Sequence, residues 1–295
     1  MYAGGFWGVG CGWLIVPSAL FFFDCTPMQA AGIGLLQMVP SIIFPTLREA
    51  PRIGWGRNSV GRNLVLPMAF ASFFTSLCGL PINSFFHRLC GSTAIFIGFG
   101  VLMFFIGLQT IFGKARRYGD ETPLNFSKRS LGYATLGGLV AGVFSSVLGV
   151  GGAMVFRPVL ANGFKTTETE TARCVRFLLL TTTLTGGGNY LFAQGNVDFK
   201  ILFLSAAIAL GGAIGFPMGM RAHRIVIAAG YESTARRSFA IICGIVFCNV
   251  ALTLVGFYEL SRYLMFGAAI GLFVYLVLLC QYAKKRADLS TPNRP

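Results

Sequence analysis

Charge is scarce in this chain, and negative charge is scarcer still. Of its 295 residues 12% are charged, and only 10 are Asp or Glu. An ordinary soluble domain carries roughly a quarter charged residues. With 55% of the residues hydrophobic, no soluble core could absorb the apolar excess. Only 2 histidines are present, His87 and His223, both expected in loops, and neither HExxH nor GxSxG occurs. Without a ligand cluster or a nucleophile–base pair, the pattern weighs against a membrane-embedded enzyme and implies no cofactor. The 8 cysteines are scattered with no CxxC pair, and read as small apolar filler. Met1 to Trp13 holds no basic residue, so the start does not read as a secretory signal.

What is abundant is apolar sequence in blocks. A helix needs about 20 apolar residues to cross hydrocarbon, and such segments lie at 4–23, 27–47, 63–80, 91–112, 131–162, 170–193, 200–220, 237–257 and 263–282. The formal charge of +14 sits in short loops between them: Arg48, Arg52, Arg57 and Arg62; Lys114, Arg116, Arg117, Lys128 and Arg129; Arg221, Arg224, Arg236 and Arg237; and the tail with Lys284, Lys285, Arg286 and Arg294. That distribution reads as membrane topology with these loops cytoplasmic, and not as a nucleic-acid footprint.

One pattern occurs twice. Gly8-Val9-Gly10-Cys11-Gly12-Trp13-Leu14-Ile15-Val16-Pro17 aligns without a gap on Gly149-Val150-Gly151-Gly152-Ala153-Met154-Val155-Phe156-Arg157-Pro158. At the same offset Phe23 matches Phe164, Thr26 matches Thr167 and Ala31 matches Ala172. The chain therefore reads as repeat 1 over 1–112, a cytoplasmic basic loop over 113–130, repeat 2 over 131–257, and an extra transmembrane helix with a basic tail over 258–295.

Glycine costs roughly 1 kcal/mol and proline roughly 3 inside a helix. A broken backbone survives in a membrane only when buried in protein or lining a watery cavity. Matched breaks in two repeats point to a transporter's binding site, where N–H groups at half-helix starts meet an anion. Gly8, Gly10, Gly12, Gly149, Gly151 and Gly152 are thus candidate binding residues; close helix packing through small residues is the alternative. A phosphate loop of the dinucleotide-binding kind is discarded, because it needs a soluble strand-turn-helix unit and a downstream acid.

Charge counting favours an inverted arrangement. If all nine segments cross simply, the two faces hold 11 and 10 Lys and Arg, with no bias. If 4–23 and 131–162 are re-entrant hairpins, one face collects 18 and the other 3, leaving Arg157, Arg173 and Arg176 in spans. The second arrangement obeys the positive-inside rule and gives the repeats opposite orientations.

Intramembrane arginines are costly, and those that persist face a bundle interior or a substrate path. Arg157, at the second break where the first copy has Val16, offers a donor fork suited to an oxyanion; snorkelling is the alternative. Arg173 lies one turn from the headgroups and reads as snorkelling, whereas the deeper Arg176 is a candidate. Helical spacing carries this face through Leu180, Thr183, Gly187, Tyr190 and Gln194. Thr181, Thr182, Thr185, Asn189 and, in the first copy, Gln37 are either site residues or helix-to-helix hydrogen bonds. All ten carboxylates fall in loops or at span ends; Glu168 and Glu170 are the best coupling candidates, against a plain role as helix-start acids.

The phrases GVGCGWLIVP and GVGGAMVFRP, then TETARCVRF and GNVDFKILFLSAAIALGGAIGFPMGMRAHRI, resemble the sulfite exporter TauE/SafE family of bacterial membrane permeases. The resemblance covers nearly the whole chain and is strongest over 131–224. It implies movement of small anions, such as sulfite, sulfonates, sulfoacetate or thiosulfate, across the inner membrane; the basic tail places the C-terminus on the cytoplasmic face. Two departures stand out. Cys11 interrupts the glycine run, and only seven residues precede Gly8, so the first hairpin reads as shortened. A channel or a non-transporting membrane subunit is the competing function, and a homo-oligomer stays open.

Overall fold

A computed structural model describes all residues except Met1, Val9, 113–126, 194–196 and 291–295. Most of the 113–129 basic loop, Gln194, Arg294 and one residue of the first glycine motif therefore lie outside the described residues. Every regular element is helical among those described. In chain order they are α1 (Tyr2–Trp7), α2 (Gly12–Phe22), α3 (Pro27–Leu36), α4 (Val39–Glu49), α5 (Leu66–Leu77), α6 (Gly79–Phe112), α7 (Lys128–Leu148), α8 (Ala153–Pro158), α9 (Glu168–Leu191), α10 (Phe199–Ala228), α11 (Glu232–Val255) and α12 (Tyr258–Ser290). Five stretches are long and apolar enough to span a bilayer: Pro27–Ile53, Lys128–Leu148, Phe199–Ala228, Ser233–Val255 and Tyr258–Arg286. A sixth is the pair Gly61–Leu77 and Gly79–Leu89, bent by 44°. The all-helical membrane architecture read from composition is thus present.

The chain forms two compact units, Gly8–Ile95 with Gly113–Gly212, and Met1–Trp7 with Phe96–Phe112 and Ala213–Pro295. Each draws on both halves of the sequence, so these spatial units do not coincide with the sequence repeats.

In the larger unit α5 and α7 lie side by side and parallel. A Cβ on Gly138 would come 2.5 Å from the Met68 carbonyl oxygen, and one on Gly142 would come 2.6 Å from that of Ser72. One turn on, Ser146 donates to the Ser76 carbonyl at 2.7 Å. Small residues at spacing four thus let two backbones touch. After α7 the chain folds back on itself: Gly152 lies beside Ala141, and Val159 lies beside Gly137. Residues 128–163 therefore form a helical hairpin whose second arm is α8 and a π-helical turn, Val159–Gly163.

Against this hairpin packs α9, which also meets α3, α4 and α5. It is too rich in Thr, Gly and Arg to face lipid, and a helix of this kind is stable only with protein on most sides. Both α3 and α9 start in a capping box, Thr26 with Gln29 and Thr167 with Glu170. Each box supplies acceptors to otherwise orphaned N–H groups. The cap residues are positions of the repeat, and the residue two before each, Asp24 (φ 45°) and Lys165 (φ 53°), turns the chain in the left-handed region. The α3–α4 stretch and α9 run antiparallel: Gly32 adjoins Tyr190, Gly187 adjoins Leu36, and Thr46 donates to the Arg176 carbonyl at 3.4 Å.

The smaller unit holds α11 and α12 together by a buried polar clamp. Asn249 donates to the carbonyl and hydroxyl of Ser261 at 2.6 and 2.9 Å, and Thr253 Oγ1 donates to the Asn249 carbonyl at 3.0 Å. Such bonds average about 0.6 kcal/mol in membrane proteins. Asn249→Ala should therefore lower unfolding stability by about 1–2 kcal/mol, read by thermal unfolding in detergent; an unchanged melting temperature would show the clamp to be energetically idle.

Candidate functional site

The two glycine motifs meet. A Cβ on Gly12, at the start of α2, would sit 2.6 Å from Val150 Cα and 2.5 Å from the Gly149 carbonyl oxygen. The same Gly149 carbonyl lies hard against Gly34 of α3, and Gly149 itself touches the Ala31 backbone. This closeness demands glycine on both sides. The turns match as well: Gly8 and Gly149 have φ of 67° and 69°, Gly10 and Gly151 of 76° and 66°. Side-chain-bearing residues rarely adopt that region.

Each break opens a helix, α2 after Cys11 and α8 after Gly152. The first N–H groups of any helix lack intrahelical acceptors and carry the positive end of its dipole. Over the breaks lie two side chains from the next helices. The Met38 thioether touches Gly10, and its Cε would lie 2.7 Å from a Cβ on Gly151. Leu179 Cδ2 would lie 3.7 Å from a Cβ on Gly10, and its Cδ1 2.5 Å from one on Gly151. Met38 and Leu179 are themselves separated by the repeat offset, a signal that the sequence carried and that the search for identical residues missed.

Next to this centre are polar groups with unmet capacity. Gln37 is fully buried; its Nε2 donates to the Gly34 carbonyl at 2.9 Å, while Oε1 has no hydrogen-bond partner among the described residues. Ser41, four residues on and so on the same helical face, is buried with its Oγ likewise unpartnered. Asn83 Oδ1 and Ser145 Oγ are further buried atoms of this kind. A buried polar atom without a partner is uncommon and calls for an explanation such as water, an ion or a solute.

The other expected residues are spread along the unit. Arg157 stands on the last turn of α8, half-buried, about 7 Å along the helix from Gly152. It is therefore beside the break and not within it. Asn189 donates to the Leu77 carbonyl at 2.8 Å, where α5 gives way to α6, and so acts as a link between helices in this conformation. Its neighbour Tyr190 is buried and donates to the Ser146 carbonyl at 3.0 Å. Arg176, on α9, is buried and its Nη2 bonds to Glu49 Oε2 at the end of α4. That carboxylate, one of the ten that the sequence places in loops or at span ends, is only 12% exposed. At the opposite end of α9 a cavity of about 170 Å³ opens, lined by Thr26, Met28, Gln29, Tyr190, Asp198 and Ile201 among others.

A multi-pass helical membrane protein with two glycine turns packed together among buried, partly unpartnered polar groups has the make-up of a membrane permease. The chain belongs to the sulfite exporter TauE/SafE family, whose family model matches residues 2–250. No curated protein and no solved structure matches it.

Proposed function

We propose that this protein is a secondary transporter that carries small anions, sulfur oxyanions or organosulfonates, across the inner membrane, with the C-terminus cytoplasmic. The observation that carries this reading is the meeting of the two glycine breaks beside Gln37, whose Oε1 has no hydrogen-bond partner among the described residues. Gly8, Gly10, Gly12, Gly149, Gly151 and Gly152 let backbone N–H groups approach the substrate; Gln37 orients it; Arg157 and Arg176 supply positive charge, and Asn189 holds the helix that bears Arg176. The antiparallel course of α3–α4 and α9, which are equivalent by sequence, supports two repeats of opposite orientation around this centre. Such repeats provide alternating access when one rocks against the other.

The test is uptake of a panel of anions (sulfite, thiosulfate, sulfoacetate, an alkanesulfonate and chloride) into liposomes reconstituted with the purified protein. Saturable uptake with countertransport of at least one sulfur anion is expected. Arg157→Ala should reduce that uptake by about tenfold, the loss of one charge-assisted hydrogen bond of roughly 1.5 kcal/mol. No saturable flux of any panel member would overturn the transport reading, and undiminished flux in the variant would remove Arg157 from the site.

A further inference from the structure

In the larger unit a cavity lies at one end of α9 and a buried ion pair near the other. At the end where α3 begins and α9 finishes lies the cavity under Tyr190 and Asp198. At the other end, where Arg48, Arg52 and Arg57 follow or flank the end of α4, the space between α4 and α9 is filled by the Arg176–Glu49 ion pair. The side chains are 9% and 12% exposed. Two contacts clasp the pair. Thr46 bonds to the Arg176 carbonyl, and Trp55, anchored by its Nε1 donating to the Ala50 carbonyl at 2.9 Å, meets Phe177 edge-on with ring centroids 5.4 Å apart.

Arg176 is one turn from Leu179, the residue that lies over both glycine breaks. Residues three apart share a helical face, about 4.5 Å apart along the axis. Arg176 is thus a buried cation within one helical turn of the side chain that lies over the breaks. A carboxylate and a sulfur oxyanion present the same pair of acceptor oxygens to a guanidinium fork.

The geometry points to Glu49 as a resident anion: its carboxylate occupies the seat on Arg176 that the transported anion takes, and the two must exchange for this end to open. The inference rests on the transport reading and adds to it a gate whose key is the substrate's own charge. Arginine keeps its proton throughout, so the exchange needs no proton transfer. One ion pair replaces another, and the freed carboxylate turns to the water at the end of α4. Arg176 has an anionic partner before and after, which avoids leaving its buried charge uncompensated.

The test uses the purified full chain and sulfite, with two readouts: sulfite-dependent thermal stabilisation in detergent, and sulfite uptake in liposomes. Glu49→Gln removes the competing charge and keeps the shape. It should bring half-saturation to about tenfold lower sulfite in both assays, within the range of ordinary coupling between ligands. Glu49→Gln/Arg176→Gln, which leaves no orphan charge, should lose that gain. A purely structural ion pair would instead lower the melting temperature of Glu49→Gln without moving the sulfite concentration dependence, and that result overturns the proposal. So does a double variant that binds sulfite as tightly as Glu49→Gln. Should Glu49→Gln not fold, Glu49→Asp, which withdraws the carboxylate by one methylene, is expected to shift half-saturation in the same direction by a smaller factor; no shift counts against the proposal. Wild-type uptake of sulfite with no effect of these variants would sink the gate alone. Absence of uptake and of stabilisation by every panel anion would sink the transport reading with it.

Discussion

Gly149→Ala is expected to abolish transport, with uptake falling on the order of a hundredfold, the usual consequence of displacing a site by about an ångström. Two costs combine at this residue. Its φ is 69°, where a side chain strains the backbone by about 1–3 kcal/mol. Its new Cβ would also lie 2.7 Å from the Ala31 carbonyl oxygen and 3.0 Å from the Ala31 carbonyl carbon, backbone atoms that cannot turn aside. The meeting of the two breaks must then widen, and Gly12 and Gly34, which both press on the Gly149 carbonyl, move with it. Gly8→Ala is the control. Its φ is 67°, but nothing lies within 4 Å of the added methyl, so only the dihedral cost of about 1–2 kcal/mol applies. The melting temperature should fall far less there. Equal loss at both positions would show that backbone conformation alone matters and that contact between the breaks does not.

Arg176→Leu should be the most destabilising single substitution of a charged residue in the larger unit. It leaves the Glu49 carboxylate in a site that is 12% exposed, and breaking a buried pair from one side costs about 3–5 kcal/mol. Adding Glu49→Gln should return much of that loss, because a neutral amide is far cheaper to bury than an ion. A double-mutant cycle by thermal or denaturant unfolding in detergent measures the coupling, expected at about 2 kcal/mol or more. A coupling near zero would mean that the two groups do not hold each other, and would undermine the gate as well. This measurement concerns stability and the sulfite titration concerns affinity, so each can fail alone.

Much of the local structure was legible before any contact was known. The match of Thr26 to Thr167 was visible in the repeat, though not that both cap helices, and four of the six candidate glycines, Gly8, Gly10, Gly149 and Gly151, are the turns. The inward polar face of α9 was read from spacing of three and four, and Thr183, Gly187 and Tyr190 are indeed packed or buried. Charge counting read 131–162 as a re-entrant hairpin; α8 does fold back along α7, while α7 by itself is long and apolar enough to span. Glu49 was not legible. A carboxylate at a helix end reads as solvated, and nothing near it in sequence announces an arginine 127 residues away. Met38 was missed for a related reason: a methionine matched to a leucine looks like ordinary filler until its thioether is found against two glycine turns.

The sequence by itself determined that the chain is a helical membrane protein, that it carries one motif twice, and where its backbone must break, because hydrophobic length, charge placement and the conformational range of glycine are properties of local composition. Only the tertiary structure decided that the two breaks touch, that Arg157 stands a turn beyond the break, and that Arg176 is held by Glu49. Those are contacts between segments far apart in the chain, set by which small residues let two backbones approach and by which buried charge finds a partner, and no local pattern encodes them.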